Sequence, residues 1–315
     1  MDERVNKVTD EIEKIVIGKR DVIEKVMMAV LADGHILLDD VPGVGKTTLA
    51  VALSRALGVT YHRIQFTPDV LPSDIVGFSV YNKDSGEFIY LPGIVNDTNL
   101  LLADEINRTS SRTQSALLEA MEESQVTVDG KVHKLNKPFI VIATQNQVGT
   151  AGTQLLPHAQ LDRFLVRLTI GYPDYDSQKE IIKERQKTDI MSAVNKVSDP
   201  AGLEDMQAKT LQVNMKDEIV DFITALTFAS RESEYTDLGI SPRGAVAISH
   251  MAKACAYVRG RDYCLPEDVC EIFTDVCAHR ILLSRKARAE QLGTTEVLSE
   301  LLENTKKPFT LQKEG

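Results

Sequence analysis

The sequence predicts an α/β domain built on a five-stranded, mainly parallel sheet with helices on both faces, followed by a smaller all-helical domain. Short apolar strand patterns alternate with helical periodicity through about residue 172 and then vanish. Two of those strands also end in loops whose residue types suit a phosphate and a divalent cation. At 315 residues, 43% hydrophobic and 26% charged, the chain can bury a core in each domain.

The first helical pattern, residues 21–32, puts Ile23, Met27, Val30 and Leu31 on one face, with Gly34 as its stop. Strand patterns follow at residues 36–38, 61–66, 100–103, 139–144 and 165–170, and a helical one at 49–57. Two inserts interrupt the alternation. In residues 77–94 two aromatic and β-branched arms flank the polar run 82–86, as in a hairpin. In residues 125–135 Asp129-Gly130 separates Val126 and Val128 from Val132, a second hairpin. Between residues 105 and 125, Ala116, Leu117, Ala120 and Met121 recur at helical spacing and predict a helix packed on the sheet. Beyond Pro173, helical patterns cover 177–186, 216–231, 242–257 and 266–285. A polar connection lies at 195–200 and a short helix near 203–208. The expected division is 1–172, 173–304 and a polar tail, 305–315.

A net charge of −10 argues against coating nucleic acid by bulk electrostatics. No apolar run approaches the roughly 18 residues of a membrane span, and the first residues lack an apolar signal region, so a cytoplasmic protein is expected. Cys255, Cys264, Cys270 and Cys277 contain no C-x-x-C and read as buried free thiols, not a metal site. His35 and His62, flanking strands, read as packing or edge residues.

The chemistry concentrates in Val41-Pro42-Gly43-Val44-Gly45-Lys46-Thr47-Thr48, between a strand and a helix. Gly43 and Gly45 let backbone N–H groups curl around phosphates, Lys46 reaches the β- and γ-phosphates, and Thr47 offers its hydroxyl to Mg²⁺. Asp40 replaces the first glycine of the usual G-x-x-x-x-G-K-[ST] pattern, outside the phosphate-contacting residues. About 55 residues after the lysine, a buried strand ends in Asp104-Glu105. In a P-loop enzyme the first carboxylate holds Mg²⁺ and the second polarises the attacking water.

With these motifs in place the sequence resembles the AAA+ ATPases and, within them, the MoxR family. The most specific stretches are residues 63–74, residues 102–108 and Gln160-Leu161-Asp162-Arg163-Phe164. The resemblance implies ATP as the nucleotide, with adenine against Val16, Ile17 and Gly18. It implies that Asn146 is a sensor holding the attacking water, although Gln147 stands where proline is usual; a turn-capping Asn is the alternative. Arg163 resembles an arginine finger offered to a neighbouring subunit, against an Asp162–Arg163 surface pair or Arg167 as a competing finger. Arg243, in the first turn after Ser241-Pro242, resembles a second sensor; a cation is unfavourable at a helix N-terminus unless an anion compensates. Ile94 and His158 depart from the family's usual proline and acidic residue.

The family further implies a ring, six subunits being the expectation, whose hairpins face the pore and remodel a protein client, often with a von Willebrand factor A domain partner. Two rival readings stay open. One is a DNA-acting motor related to the minichromosome maintenance helicases, for which the second hairpin offers Lys131, His133, Lys134 and Lys137. The other is a non-enzymatic scaffold switched by ATP.

Overall fold

The computed structural model describes residues 2–145, 156–184 and 191–308. In chain order the first domain contains α1 (Glu3–Glu13), α2 (Arg20–Leu31), β1 (Ile36–Asp39), α3 (Lys46–Leu57), β2 (Tyr61–Gln65), α4 (Pro72–Val76), the hairpin β3 (Phe78–Asn82) and β4 (Glu87–Leu91), and β5 (Leu100–Asp104). It continues through α5 (Ser111–Glu123), the hairpin β6 (Gln125–Val128) and β7 (Lys131–Lys134), β8 (Ile140–Gln145), α6 (His158–Leu161) and β9 (Val166–Leu168). There follow α7 (Tyr175–Glu184), α8 (Pro200–Leu211), α9 (Asp217–Glu232), β10 (Thr236–Leu238), α10 (Pro242–Val258), α11 (Pro266–Cys277), β11 (Leu282–Leu283), α12 (Arg285–Ala289) and α13 (Thr294–Asn304).

The central sheet has the order β2-β5-β8-β1-β9 and every pairing in it is parallel. Its period-2 alternation divides the apolar side chains between two cores. Leu37, Leu101, Ala103, Val141 and Ala143 join one core with Leu117 and Met121 of α5. Ile36, Leu38, Leu100, Leu102, Ile140 and Ile142 join the other, which runs on through α2 and α3 into Ile223, Ile248 and Phe273 of the helical domain. Parallel strands leave their carboxyl ends along one edge, where the ends of β1, β5 and β8 lie together.

The predicted five strands and both hairpins form with boundaries shifted by a few residues. Asp129 (φ 50°) and Gly130 (φ 74°) adopt the left-handed turn that a tight hairpin requires. The ring of Tyr90, on the first hairpin, stacks on His133 of the second at 3.8 Å.

Several expectations need correction. The helix ending near Gly34 turns through Asp33 (φ 53°) instead; Gly34 is there for room, because a Cβ would lie 2.1 Å from the Leu165 side chain. The helix expected to reach residue 285 stops at Cys277, since Arg280 turns inward to donate to the carbonyls of Phe164 and Leu165. Strands do occur in the helical domain: β10 and β11 pair antiparallel beside that turn. Finally, α1 and α13 were not anticipated. Asp2 caps α1 by accepting from Arg4 N (3.1 Å), and its carboxylate also accepts from Tyr257 Oη (2.9 Å) on α10. The short helix near 203–208 is the longer α8, capped by Asp199, which accepts from Gly202 N. All four cysteines are free thiols, with Cys270 only half-buried. Burial pushes the Cys264 thiol up to about 12.

Candidate functional site

The loop after β1 turns through Gly43 (φ 87°) and Gly45 (φ 101°), conformations that side chains other than glycine adopt at a cost. Nothing lies within 4 Å of where a Gly43 Cβ would be, so the backbone amides face an open cradle. Asp40 closes the loop's base: its carboxylate accepts from Val41 N (2.8 Å), Ile170 N (2.6 Å) and Gly171 N (2.7 Å). The departure from glycine therefore ties the loop to the end of β9. Lys46 is buried and its Nζ donates to Asp40 O at 2.8 Å. Burial pulls its pKa down, against the opposing pull of Asp40, Asp104, Asp39 and Glu105. A site with one buried ammonium among several carboxylates, at the start of a helix, fits a phosphate chain accompanied by a divalent cation.

Asp104 and Glu105 lie at the end of β5, next to the loop. Thr144, at the end of neighbouring β8, orients both: its Oγ1 donates to Asp104 Oδ1 (2.6 Å) and accepts from Glu105 N (2.9 Å). Glu105 itself is left-handed (φ 58°), a conformation costing roughly 1–2 kcal/mol for a residue with a Cβ. Asp104 also pairs with Arg63 Nη2 (2.6 Å), while Glu105 accepts from Gln65 Nε2 (2.9 Å) and Arg108 Nη1 (2.7 Å). Thr144, Arg63, Gln65 and Arg108 were not singled out from the sequence as site residues. The available signal was polar Arg63 and Gln65 in a strand expected to be apolar; the register sets Gln65 opposite Asp104.

A cavity of about 480 Å³ adjoins the loop, lined by Val16, Ile17, Pro42, Gly43, Val44, Gly45 and Thr48 and closed by Tyr172, Pro173 and Ile181. Its size suits a nucleoside. Gly18 is not among its lining; it turns through φ 70° where a Cβ would lie 2.1 Å from Ser177 Oγ, so it seats the 16–18 segment on α7. Asn146 lies outside the described residues, as does Gln147.

Arg163 and Arg243 come together, but elsewhere. Both line a cavity of about 230 Å³ with Asp33, His35 and Glu122. His35 precedes β1 and accepts through its carbonyl from Leu165 N (2.8 Å), so this cavity sits at the amino edge of the sheet. At roughly 3.3 Å per residue, about 20 Å of chain separates Gly34 from Asp40 at the phosphate loop. Arg163 Nε and Arg243 Nη2 each lie 3.1 Å from Glu122, on Oε2 and Oε1. The anticipated Asp162–Arg163 pair does not form; Asp162 accepts instead from Arg280 Nε (2.8 Å) and Ser241 Oγ (2.9 Å). The anion beside Arg243 is Glu122 of its own chain. Arg167 pairs with Asp39. Above this cavity His35 bridges two elements, with Nε2 2.9 Å from Met121 O and Nδ1 accepting from Val141 N (3.0 Å). Ile94 donates its N–H to Asp74 O (3.1 Å), and His158 opens α6.

Comparison with known proteins agrees with this architecture. Residues 35–166 match the ATPase family associated with various cellular activities (AAA), and residues 228–301 match the AAA lid domain. Bacillus subtilis YeaC, whose function is uncharacterized, is 41% identical over 304 residues, 96% of this chain and 95% of that protein. Chaperone MoxR1 of Mycobacterium tuberculosis is 36% identical over 95% of this chain and 81% of its own. Protein MoxR of Methylorubrum extorquens is 29% identical over 87% of this chain and 86% of its own. A crystal structure from Cytophaga hutchinsonii, assigned as an ATPase, superposes with a TM-score of 0.88 at 35% identity, covering 98% of this chain and 96% of that one.

Proposed function

The chain belongs to the MoxR family of AAA+ ATPases, and from that membership we propose a ring of about six subunits that hydrolyses magnesium-bound ATP at each seam and remodels protein clients. Lys46 and the backbone amides of residues 43–48 bind the phosphates, while Ile17 and the segment seated by Gly18 flank adenine. Thr47 Oγ1 and Asp104 would hold Mg²⁺, which would supply positive charge beside the phosphate chain. Glu105 leaves Gln65 and Arg108 to take the proton of the attacking water, which Asn146 holds.

One observation carries the shared site. Arg163 and Arg243 line a cavity with His35, before β1, whereas the phosphate loop follows β1, a separation that supports delivery of both arginines to a neighbour's γ-phosphate. The subunit that needs them receives them from a neighbour, and both therefore act in trans. Closure of residues 173–304 over residues 1–172 accompanies each turnover and moves the two stacked hairpins. The chaperone name of the mycobacterial relative supports a protein client. The family resemblance supports a von Willebrand factor A domain partner, and the polar composition of residues 305–315 supports a tail; a cytoplasmic location is part of the same proposal. Among the described residues no helix is long and apolar enough to cross a membrane.

Turnover per chain measured against protein concentration tests this. It is expected to rise steeply as rings assemble and to vanish on dilution; turnover per chain independent of concentration, in a protein sedimenting as a monomer, would refute it.

A further inference from the structure

Glu122 occupies the last turn of α5, where a helix's exposed carbonyls disfavour an anion. Such a local misfit needs a compensating partner. It has two: each carboxylate oxygen carries one guanidinium, Arg163 from the sheet domain and Arg243 from α10. Two like charges are thereby held side by side, which without the carboxylate would repel. Of the other carboxylates lining the cavity, Asp162 is engaged by buried Arg280 and by Ser241, and Asp33 accepts from Gln207 Nε2 (3.3 Å). Among the described residues Glu122 is the carboxylate that pairs with both Arg163 and Arg243. The side chains are 30% to 45% exposed, so each ion pair contributes no more than about 1 kcal/mol and a multiply charged phosphate can compete for the arginines.

We propose that Glu122 is a positioning residue: its carboxylate gathers the finger and the lid arginine into one paired receptor for the neighbouring subunit's terminal phosphate. This rests on the shared-site reading above. Because Glu122 is followed by Ser124 (φ 49°) and the start of β6, it also joins that receptor to the base of the second hairpin.

Steady-state ATPase assays on Glu122→Gln, Glu122→Asp, Arg163→Ala and the Glu122→Gln/Arg163→Ala double variant test this, at concentrations where the wild type is assembled. Glu122→Gln is expected to lower kcat roughly ten- to a hundredfold with KM for ATP unchanged, because the nucleotide is bound by another chain's loop. Glu122→Asp should recover part of the loss, and the loss in the double variant should be smaller than the product of the two single losses. Adding Lys46→Ala chains, which keep the intact receptor, should restore turnover to Glu122→Gln. Wild-type kcat in Glu122→Gln while Arg163→Ala is inactive would overturn this proposal alone. So would losses that multiply in the double variant, or a mixture that shows no recovery. Wild-type kcat in Arg163→Ala would overturn the shared site and, with it, the role of Glu122.

Discussion

Asp40 shows how a residue that breaks a motif can be required by the fold. Its three backbone donors come from its own loop and from Ile170 and Gly171. Asp40→Gly would restore the usual glycine yet leave those amides without an acceptor. It is expected to cost about 2 kcal/mol of stability and to weaken nucleotide binding, as read by urea unfolding and titration calorimetry. Equal stability in the two proteins would contradict this account of the loop. The phosphate loop and Asp104-Glu105 were legible in the sequence because their chemistry is contiguous. The partners that orient them were not: Thr144 stands forty residues from Asp104, and only the sheet's strand order makes them neighbours. Glu122 is hidden for the same reason, since it meets Arg163 and Arg243 through the meeting of three elements.

At the scale of elements, the strand and hairpin patterns were readable because burial on both faces enforces apolar runs and Asp-Gly enforces a turn. The break after Cys277 was not, because the alternative to continuing the helix is a set of carbonyls that Arg280 finds more than a hundred residues away. The N-terminal helix went unpredicted although Val5, Val8 and Ile12 lie at helical spacing, because charged residues dominate the segment. Elements are also joined by His35, which links β1 to α5 and β8. It is neutral in the fold: Nε2–H donates to Met121 O, and protonating Nδ1 would destroy its bond from Val141 N–H. Burial holds its pKa below the ordinary 6.5, and His250 is lowered in the same direction. Between the folded value and 6.5 the unfolded chain binds more protons, so stability is present above that window and lost as pH falls through it. The melting temperature is expected to drop as pH is lowered from 7.5 to 5.5. His35→Gln should be less stable at neutral pH but shallower in slope, by up to about 1.4 kcal/mol per pH unit. A variant with the wild-type slope would show that this imidazole does not titrate on unfolding.

At the scale of the whole molecule, one apolar core runs from the sheet through α2 and α3 into the helical domain, and ion pairs at the amino edge join the two domains again through Glu122 and Asp162. Lid and sheet are therefore packed together at two places, with the phosphate loop at the carboxyl edge of the sheet and Arg163 and Arg243 at the amino edge. On the proposed shared-site reading, each protomer completes its neighbour's site. Mixing Lys46→Ala chains, which lack a phosphate anchor, with Arg163→Ala chains, which lack a finger, tests it most directly. Each alone is expected to hydrolyse ATP at a thousandth of the wild-type rate or less, roughly the worth of an arginine finger. An equal mixture should recover activity towards about a quarter of wild type, the share of seams that pair an intact loop with an intact finger. A mixture as inactive as its components, although it assembles into mixed rings, would contradict catalysis in trans.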